Sequence, residues 1–236
     1  MFGGADRQGV LIDMAKRGIS IKAIFVPDTK SQKLSTSIEE LLRAGMPVLK
    51  TSKKTLTMDL KPWAGCALLS IGFPYIIPCS VLDLHELRLN IHPTLLPKYR
   101  GPTSGAHIII NGEKYTGSTV HVLEKGVDSG GIIAQSSVPL NLFDTVKTMQ
   151  RKVYEIEPEL MLLALDKLDE GIIPVPQDET QATIYPKRYP DDSEIDPQKT
   201  IIELYNTIRA CDPEEYPAYF FVNGRKVGIR LWCIED

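Results

Sequence analysis

The sequence has few cysteines and no pattern of metal ligands. Its four cysteines are scattered along the chain and include no C-x-x-C pair: Cys66, Cys79, Cys211 and Cys233. Zinc sites draw on Cys and His residues at short, regular spacings. His85, His107 and His121 show no such spacing to each other or to cysteine, and we interpret all three as structural. The sequence therefore predicts no metal, and reduced thiols in a cytoplasm.

The sequence also lacks an excess of positive charge and a long apolar run. Lys and Arg total 27 against 30 Asp and Glu, giving a net charge of −3. This balance gives no general electrostatic reason for nucleic acid to bind. No apolar stretch is long enough to cross a bilayer, and the segment after Met1 is unlike a signal peptide. We expect a cytoplasmic protein without membrane association.

What the chain does contain is an alternation of helical and strand patterns. Apolar residues at helical spacing over residues 10–17 end at Gly18, and a buried strand is predicted over 19–26. A helix over 37–44, a short strand over 47–50 and an apolar run over 66–71 follow. Such alternation predicts an α/β fold: an open, mostly parallel twisted sheet with helices on both faces. Ligands bind at the carboxyl ends of the strands in sheets of this kind.

The first strand and one later helix of this pattern have unusual features. Only Met1 and Phe2 precede Gly3 and Gly4, so the first strand looks truncated. Either the natural protein starts upstream or the chain uses a stub, and the former is favoured. Later in the chain, a helix is predicted over about 143–170, and Pro158 should kink it or split it in two.

Composition divides the chain into three parts. Residues 1–184 are predicted to form the catalytic domain, and residues 185–199, rich in Pro and Asp, to form a linker. Residues 200–236 should form a short α+β segment, with one helix at about 200–211 and a strand pair around the Asn223-Gly224 turn. The apolar runs in Tyr219–Val222 and Ile229–Ile234 favour a homodimer interface.

The most informative segment is LRLNIHPTLLPKYRG, residues 87–101, together with TGSTVHVLEKGVDSGGIIAQ at 116–135. Alternate residues of a strand share a face, so Asn90 and His92 point to the same side. Pro93 removes a backbone donor and ends the strand. An amide and an imidazole are therefore expected to face one cleft, although alone such residues are more often turn and capping groups.

These motifs resemble the formyltransferase family built on the glycinamide ribonucleotide transformylase fold. That family includes methionyl-tRNA formyltransferase and the sugar-nucleotide N-formyltransferases. The resemblance covers most of residues 3–185 and is carried by N-I-H-P-x-L-L-P-K-Y-R-G, T-G-S-T-V-H and D-S-G-G-I-I. It implies a catalytic triad of Asn90, His92 and Asp128, with 10-formyltetrahydrofolate as cosubstrate and no metal.

Formyl transfer explains why those residue types are needed. The acceptor amine must lose a proton, and His92 is suited to accept it near neutral pH. Attack on the formyl carbon creates an oxyanion, which Asn90 or a protonated His92 can stabilise. Asp128 can hydrogen-bond the imidazole, raise its basicity and help relay a proton through water to the leaving nitrogen.

The resemblance also implies binding residues around the triad. The pterin ring of the folate would enter a slot between two loops, Gly72-Phe73-Pro74-Tyr75 and the segment that contains Leu123, Gly126 and Val127. Glycine would allow the backbone to approach the ring, and Phe73 and Tyr75 would supply apolar walls. The two aromatic side chains are equally consistent with core packing. Lys98 and Arg100 would contact an acceptor phosphate, or are ordinary surface charges.

The acceptor is inferred from the C-terminal segment. This segment contains more acidic than basic residues, so no tRNA-binding face is evident. It has six acidic residues (Glu203, Asp212, Glu214, Glu215, Glu235, Asp236) and four basic ones (Arg209, Arg225, Lys226, Arg230). The segment is most similar to that of enzymes that formylate an amino-deoxy sugar nucleotide for surface polysaccharide. Alternatives are methionyl-tRNA or glycinamide ribonucleotide as acceptor, a formyltetrahydrofolate hydrolase, and an inactive, truncated binding module.

Overall fold

The computed structural model describes residues 1–29, 31–102, 104–214, 216–232 and 234. Four residues counted among the cysteines and acidic residues of the sequence lie outside the described residues: Glu215, Cys233, Glu235 and Asp236. Eight strands are formed within these ranges: β1 Ile24–Pro27, β2 Val48–Thr51, β3 Leu68–Ile71, β4 Arg88–His92, β5 Tyr115–Val122, β6 Ile132–Pro139, β7 Ala218–Val222 and β8 Arg225–Ile229.

Seven α-helices alternate with these strands in the described part of the chain: α1 Gly9–Lys16, α2 Gln32–Arg43, α3 Leu56–Leu60, α4 Cys79–Leu82, α5 Ser104–Ile110, α6 Val146–Asp169 and α7 Ile201–Arg209. Short 3-10 turns lie at Lys61–Trp63, Glu179–Gln181 and Pro190–Ser193. None of the helices in the described ranges combines the length and apolar character needed to cross a membrane.

The central sheet confirms the predicted α/β architecture. β1 pairs with β2, and β3 with β4, in parallel, whereas β5 is antiparallel to both β4 and β6. Met1 and Phe2 join the two halves: the Phe2 N–H donates to the Phe25 carbonyl at 2.8 Å, and the Ile71 N–H donates to the Met1 carbonyl at 2.9 Å. Two residues therefore take the place of a strand between β1 and β3.

Apolar side chains cover both faces of this sheet. Ile24 and Val26 pack with residues of α1, α2 and α6 in the larger core cluster. Phe25, between them, packs on the other face with Leu56 of α3 and Val81 of α4. Because strand side chains alternate between faces, this division follows directly from the pleat. Helices on both faces were predicted from the alternation of elements.

Helix α6 is a single element, so the predicted split at Pro158 is wrong. Val153 before the proline and Leu160 after it are both buried, at 1% and 2% exposure. Packing on both sides of Pro158 outweighs the hydrogen bond that the proline cannot make. The Thr145 side chain caps the start of the helix, and Gly171, with a φ of +79°, follows its end as predicted.

The segment after α6 packs against the body of the protein. Tyr185 stacks on Tyr99 with ring centroids 5.2 Å apart, and the Ile195 N–H donates to the Tyr219 carbonyl at 2.8 Å. The division of the chain at residues 185–199 stays a prediction. The predicted strand pair around Asn223-Gly224 is confirmed as β7 and β8.

The apolar residues of the C-terminal segment are only partly buried. Tyr219 is 4% exposed, whereas Phe221 and Val222 are about half exposed and Trp232 is 71% exposed. These side chains leave an apolar surface beside the β7–β8 hairpin, and the homodimer stays a prediction.

Candidate active site

The carboxyl end of β4 presents two polar side chains on one face. Leu89 and Ile91 are buried in the larger core, so Asn90 and His92 point to the opposite side of the strand, as predicted. Thr94 follows Pro93 and its N–H donates to the His92 carbonyl at 2.9 Å, which turns the chain away from the sheet. The face is formed locally, by strand alternation and by a proline-containing turn.

The structure brings Asp128 against both of these side chains. Asn90 Nδ2 donates to Asp128 Oδ1 at 3.2 Å, and His92 Nδ1 lies 3.6 Å from Asp128 Oδ2. The Gly101 N–H donates to Oδ2 at 2.9 Å from the other side. The three residues that the motifs single out therefore meet at one point, across a separation of 38 residues in the chain.

Hydrogen-bond partners fix which nitrogens carry protons. His92 Nε2 lies 2.9 Å from the Tyr99 carbonyl oxygen, which can only accept, so Nε2 carries the hydrogen. The second nitrogen, Nδ1, then carries the lone pair of the neutral ring and faces Asp128. Asn90 donates one amide hydrogen to Asp128 and one to His121 Nε2, at 3.1 Å. Both Asn90 hydrogens are therefore used inside the site.

His121 is a site residue that the sequence analysis interpreted as only structural. It lies opposite Asn90 in the β4–β5 ladder, is 1% exposed, and its Nε2 is 3.6 Å from Asp128 Oδ1. Its Nδ1 donates to the Val122 carbonyl at 2.8 Å, which leaves Nε2 to accept from Asn90. The antiparallel register of T-G-S-T-V-H against N-I-H would have located it.

Burial and neighbouring charges set the protonation of the cluster. Burial would by itself raise the pKa of Asp128, but the contact with His121, the charge of His92 and the Gly101 N–H hold that pKa below its ordinary value. Burial lowers the pKa of His92, an effect that the Asp128 carboxylate and the hydrogen bond to Tyr99 partly oppose. The favoured state is thus a carboxylate beside a neutral imidazole.

A buried ion pair supports the end of β4 from behind. Arg7 donates to both carboxylate oxygens of Glu157, at 2.5 and 2.6 Å, and to the Ile91 carbonyl at 3.0 Å. Ser118 Oγ lies between two acceptors, the His92 carbonyl at 2.9 Å and Glu157 Oε1 at 3.0 Å. The pair thereby holds the main chain of the strand that carries Asn90 and His92, and no motif in the sequence indicated it.

The two basic residues of the 98–101 loop differ. Lys98 is exposed, in keeping with contact to an acceptor, but Arg100 is 5% exposed and already paired. Its guanidinium donates to Gln177 Oε1 and to both carboxylate oxygens of Glu179 at 2.7 to 3.1 Å. In this arrangement Arg100 is not the free phosphate ligand that the sequence suggested, because the Glu179 carboxylate is already hydrogen-bonded to its guanidinium group.

The two loops expected to hold the pterin ring lie together beside the triad. Phe73 and Tyr75 meet edge to face at 5.2 Å, and Leu123 packs against the same core cluster. Pro74 and Val127 are exposed next to them. Partly buried aromatic side chains with exposed backbone beside them are a suitable surface for a flat, polar-edged ring.

The glycines of these loops also have contacts within the chain itself, and their predicted approach to the ring stays a prediction. Gly72 has a φ of +60°, and a Cβ there would lie 2.8 Å from the Gly4 Cα. A Cβ at Gly126 would collide with Ser129 Oγ. Packing against Gly4 therefore requires glycine at position 72, whereas a side chain at position 126 would displace the Ser129 hydroxyl. Among the described residues, no group of three or more His, Cys, Asp or Glu could hold a metal ion.

Comparisons with known proteins show the family and the fold of this chain. A family model described as formyl transferase matches residues 46–165. The methionyl-tRNA formyltransferase of Streptococcus sanguinis is 33% identical over 75% of this chain and 59% of its own length. A 4-N formyltransferase from Francisella tularensis superimposes over 98% of this chain and 96% of its own, with a TM-score of 0.77 and 24% identity.

A second solved structure, the sugar 3N-formyl transferase WlaRD, covers 95% of this chain and 82% of its own, with a TM-score of 0.73 and 19% identity. At these identities the two structures establish the fold. The chain spans 59% of the length of the Streptococcus sanguinis enzyme and 64% of that of the methionyl-tRNA formyltransferase from Lactococcus lactis subsp. cremoris strain SK11.

Proposed function

This chain belongs to the formyl transferase family, and from that membership we propose that it transfers a formyl group from 10-formyltetrahydrofolate to the amine of a small acceptor. The observation that carries the proposal is the contact of Asp128 with Asn90 and His92 at the carboxyl end of β4. Ligands of open α/β sheets bind at that edge.

His92 is the general base of the proposed reaction. Burial lowers its pKa, so the neutral ring is the main form at neutral pH, as proton abstraction requires. Because Nε2 donates its hydrogen to Tyr99, the proton of the attacking amine is accepted at Nδ1. Asp128 Oδ2, 3.6 Å away, then faces the cation and stabilises it. Protonated His92 would return this proton, through water, to the leaving folate nitrogen as its bond to the formyl carbon breaks.

The negative charge that develops on the formyl oxygen needs a hydrogen-bond donor. Both hydrogens of Asn90 are directed at Asp128 and His121, so Asn90 must release one of these bonds to act as that donor. The Nδ1–H of protonated His92 is the alternative. One such donor contributes about 3 kcal/mol to the stabilisation of a transition state of this kind.

The folate supplies the activated formyl group when it is bound. Phe73, Pro74 and Tyr75 on one loop, and Leu123 and Val127 on the other, would hold its pterin ring. The partly buried side chains of Phe73, Tyr75 and Leu123 and the exposed Pro74 and Val127 suit that ring. Gly72 and Gly126, which lack a side chain, would let the backbone of each loop approach the ring.

For the acceptor we propose an amino-deoxy sugar linked to a nucleotide. The fold of this chain superimposes on a 4-N formyltransferase over 98% of its length, and on a sugar 3N-formyl transferase crystallised in the presence of dTDP over 95% of its length. Exposed Lys98, beside the triad strand, is available to a phosphate of such an acceptor. Methionyl-tRNA is the second candidate, favoured by the 33% identity to a methionyl-tRNA formyltransferase.

The proposal is tested by supplying the protein with 10-formyltetrahydrofolate and, separately, several amino-sugar nucleotides, methionyl-tRNA and glycinamide ribonucleotide. We expect release of tetrahydrofolate to accelerate with one acceptor and the formylated amine to accumulate. Formate produced without any amine would instead identify a hydrolase. No stimulation by any acceptor would reject formyl transfer to these amines.

Two substitutions then test the assigned roles. His92→Ala and Asp128→Asn should each lower kcat by about 100-fold or more, the usual contribution of a positioned general base. His107→Ala is the matched control, because this histidine contacts Tyr185 and the Pro186 carbonyl away from the triad. Activity of either triad variant within about tenfold of the wild type, or 1.4 kcal/mol, would contradict its role.

A further inference from the structure

Asp128 has a backbone conformation that is uncommon for a residue with a side chain. Its φ is +49°, in the left-handed region, where residues with a Cβ are disfavoured by about 1–2 kcal/mol. The residue also lies in a loop, between β5 and β6, where the sheet ladder does not constrain it. The position of its carboxylate therefore depends on contacts from outside the loop.

One side chain supplies those contacts to the backbone. Gln177 Nε2 donates to the Asp128 carbonyl and to the Gly130 carbonyl, each at 2.8 Å. Gln177 Oε1 accepts from Arg100 Nε at 3.1 Å and from Arg100 Nη2 at 2.8 Å. Carbonyl groups only accept and a guanidinium only donates, so the amide has a single possible orientation. All four of its hydrogen-bonding positions are occupied.

Arg100 connects the same support to the triad strand. The residue that follows it, Gly101, donates its N–H to Asp128 Oδ2 at 2.9 Å. The Arg100 N–H donates to the Thr183 carbonyl at 2.9 Å, and the Tyr99 N–H donates to Thr183 Oγ1 at 2.8 Å. The 98–101 loop and the segment after α6 are thus tied together, and they hold Asp128 by its backbone and by its carboxylate.

We propose that Gln177, oriented by Arg100, is a positioning residue that fixes the Asp128 carboxylate against His92. The catalytic meaning of this role rests on the proposed function, but the placement of Asp128 can be measured without it. The Asp128 carboxylate raises the pKa of His92, against the lowering effects of burial, of His121 and of Arg7. Displacement of Asp128 should therefore lower the pKa of His92.

The test is an NMR titration of His92 in the full chain labelled at histidine, with its resonance assigned by its loss in His92→Asn. Gln177→Met removes both donors to the Asp128 loop without adding charge. Gln181→Met is the matched control, because Gln181 is exposed and its amide donates only to Asp178. We expect the midpoint of His92 to shift to lower pH in Gln177→Met and to stay at the wild-type value in Gln181→Met.

An unchanged midpoint in folded Gln177→Met, or an equal shift in both variants, would overturn the proposal. Should Gln177→Met not fold, Gln177→Asn is titrated instead; its neutral side chain is one methylene too short to reach both carbonyls, and the same shift is expected. None of these results requires an acceptor, so they remain decisive even if formyl transfer is rejected.

Kinetics provide a second measurement once an acceptor is known. Displacement of a catalytic group should lower kcat by about 10- to 100-fold. The KM for 10-formyltetrahydrofolate should change little, because Gln177 lies behind Asp128 and not among the residues proposed to contact the ring. A rise in that KM with kcat unchanged would instead assign Gln177 to substrate binding and overturn the positioning role.

Discussion

Two arginines lie beneath the candidate active site, and they differ in where their charge is balanced. Arg7 and Arg100 are both buried, at 3% and 5% exposure. The partner of Arg7 is Glu157, which is fully buried, whereas the partner of Arg100 is Glu179, whose side chain is 67% exposed. Arg7 supports the strand that carries His92, and Arg100 supports the loop that carries Asp128.

The difference shows that similar contacts have different consequences at different depths. A buried charge that loses its partner keeps its full desolvation cost, because water does not replace the missing carboxylate. A carboxylate at the surface contributes little to an ion pair, because water and salt already screen its charge. We therefore expect Arg7 to matter mainly for stability, and Arg100 mainly for the position of Gln177 and Asp128.

The largest effect is expected for Glu157→Gln, which leaves the Arg7 guanidinium unpaired in the core. Removing one partner of a buried ion pair costs about 3–5 kcal/mol, a large share of the 5–15 kcal/mol that stabilises a typical protein. Urea unfolding measures the loss. Glu155→Gln, at an exposed position of the same helix, is the control and should change little. Equal losses would contradict the importance of the buried pair.

A smaller effect comes from the protonation of His92. Burial, together with the charges of His121 and Arg7, lowers the pKa of His92 below the value of about 6.5 in the unfolded chain. Below about pH 6.5 the unfolded state binds more protons than the folded state. The free energy of unfolding therefore decreases as the pH decreases, by at most about 1.4 kcal/mol per pH unit.

This dependence is measured by urea unfolding between pH 8 and 5. Wild type should lose more stability across that range than His92→Asn, which cannot take up the proton. Identical pH profiles for the two proteins would show that His92 does not contribute to the linkage.

The smallest effect is expected for Glu179→Gln. The side chain is mostly exposed, and a glutamine oxygen can still accept from Arg100, so the urea midpoint should stay near the wild-type value. A loss as large as that of Glu157→Gln would mean that the ion pairs of the two arginines contribute equally to stability, whatever their depth.

Local sequence patterns were sufficient to predict most of the fold. Helix and strand periods identified the alternating elements, and strand alternation placed Asn90 and His92 on one face. Where prediction was inexact, a distant partner decided the outcome. The strand expected over residues 19–26 is only Ile24–Pro27, because its ladder with β2 begins at Val48. Similarly, packing on the sheet keeps α6 continuous through Pro158.

Only some residues of the candidate site could be predicted from the sequence. Asn90, His92 and Asp128 lie in recognisable motifs, and the structure brings them together. His121, Glu157 and Gln177 lie in the same network through the β4–β5 register and through contacts across 31 to 150 residues. No local period encodes such contacts. For the same reason the pairing of Arg100 with Glu179, 79 residues away, could not be anticipated.

The order of these supports along the chain has a consequence for synthesis on the ribosome. A nascent chain that has emerged as far as Glu170 already contains Asn90, His92 and Asp128, and also Glu157, the partner of Arg7. It does not yet contain Gln177 or Thr183, which hold the Asp128 loop and the 98–101 loop. The contacts from Gln177 and Thr183 can therefore form only after this later part of the chain has been synthesised.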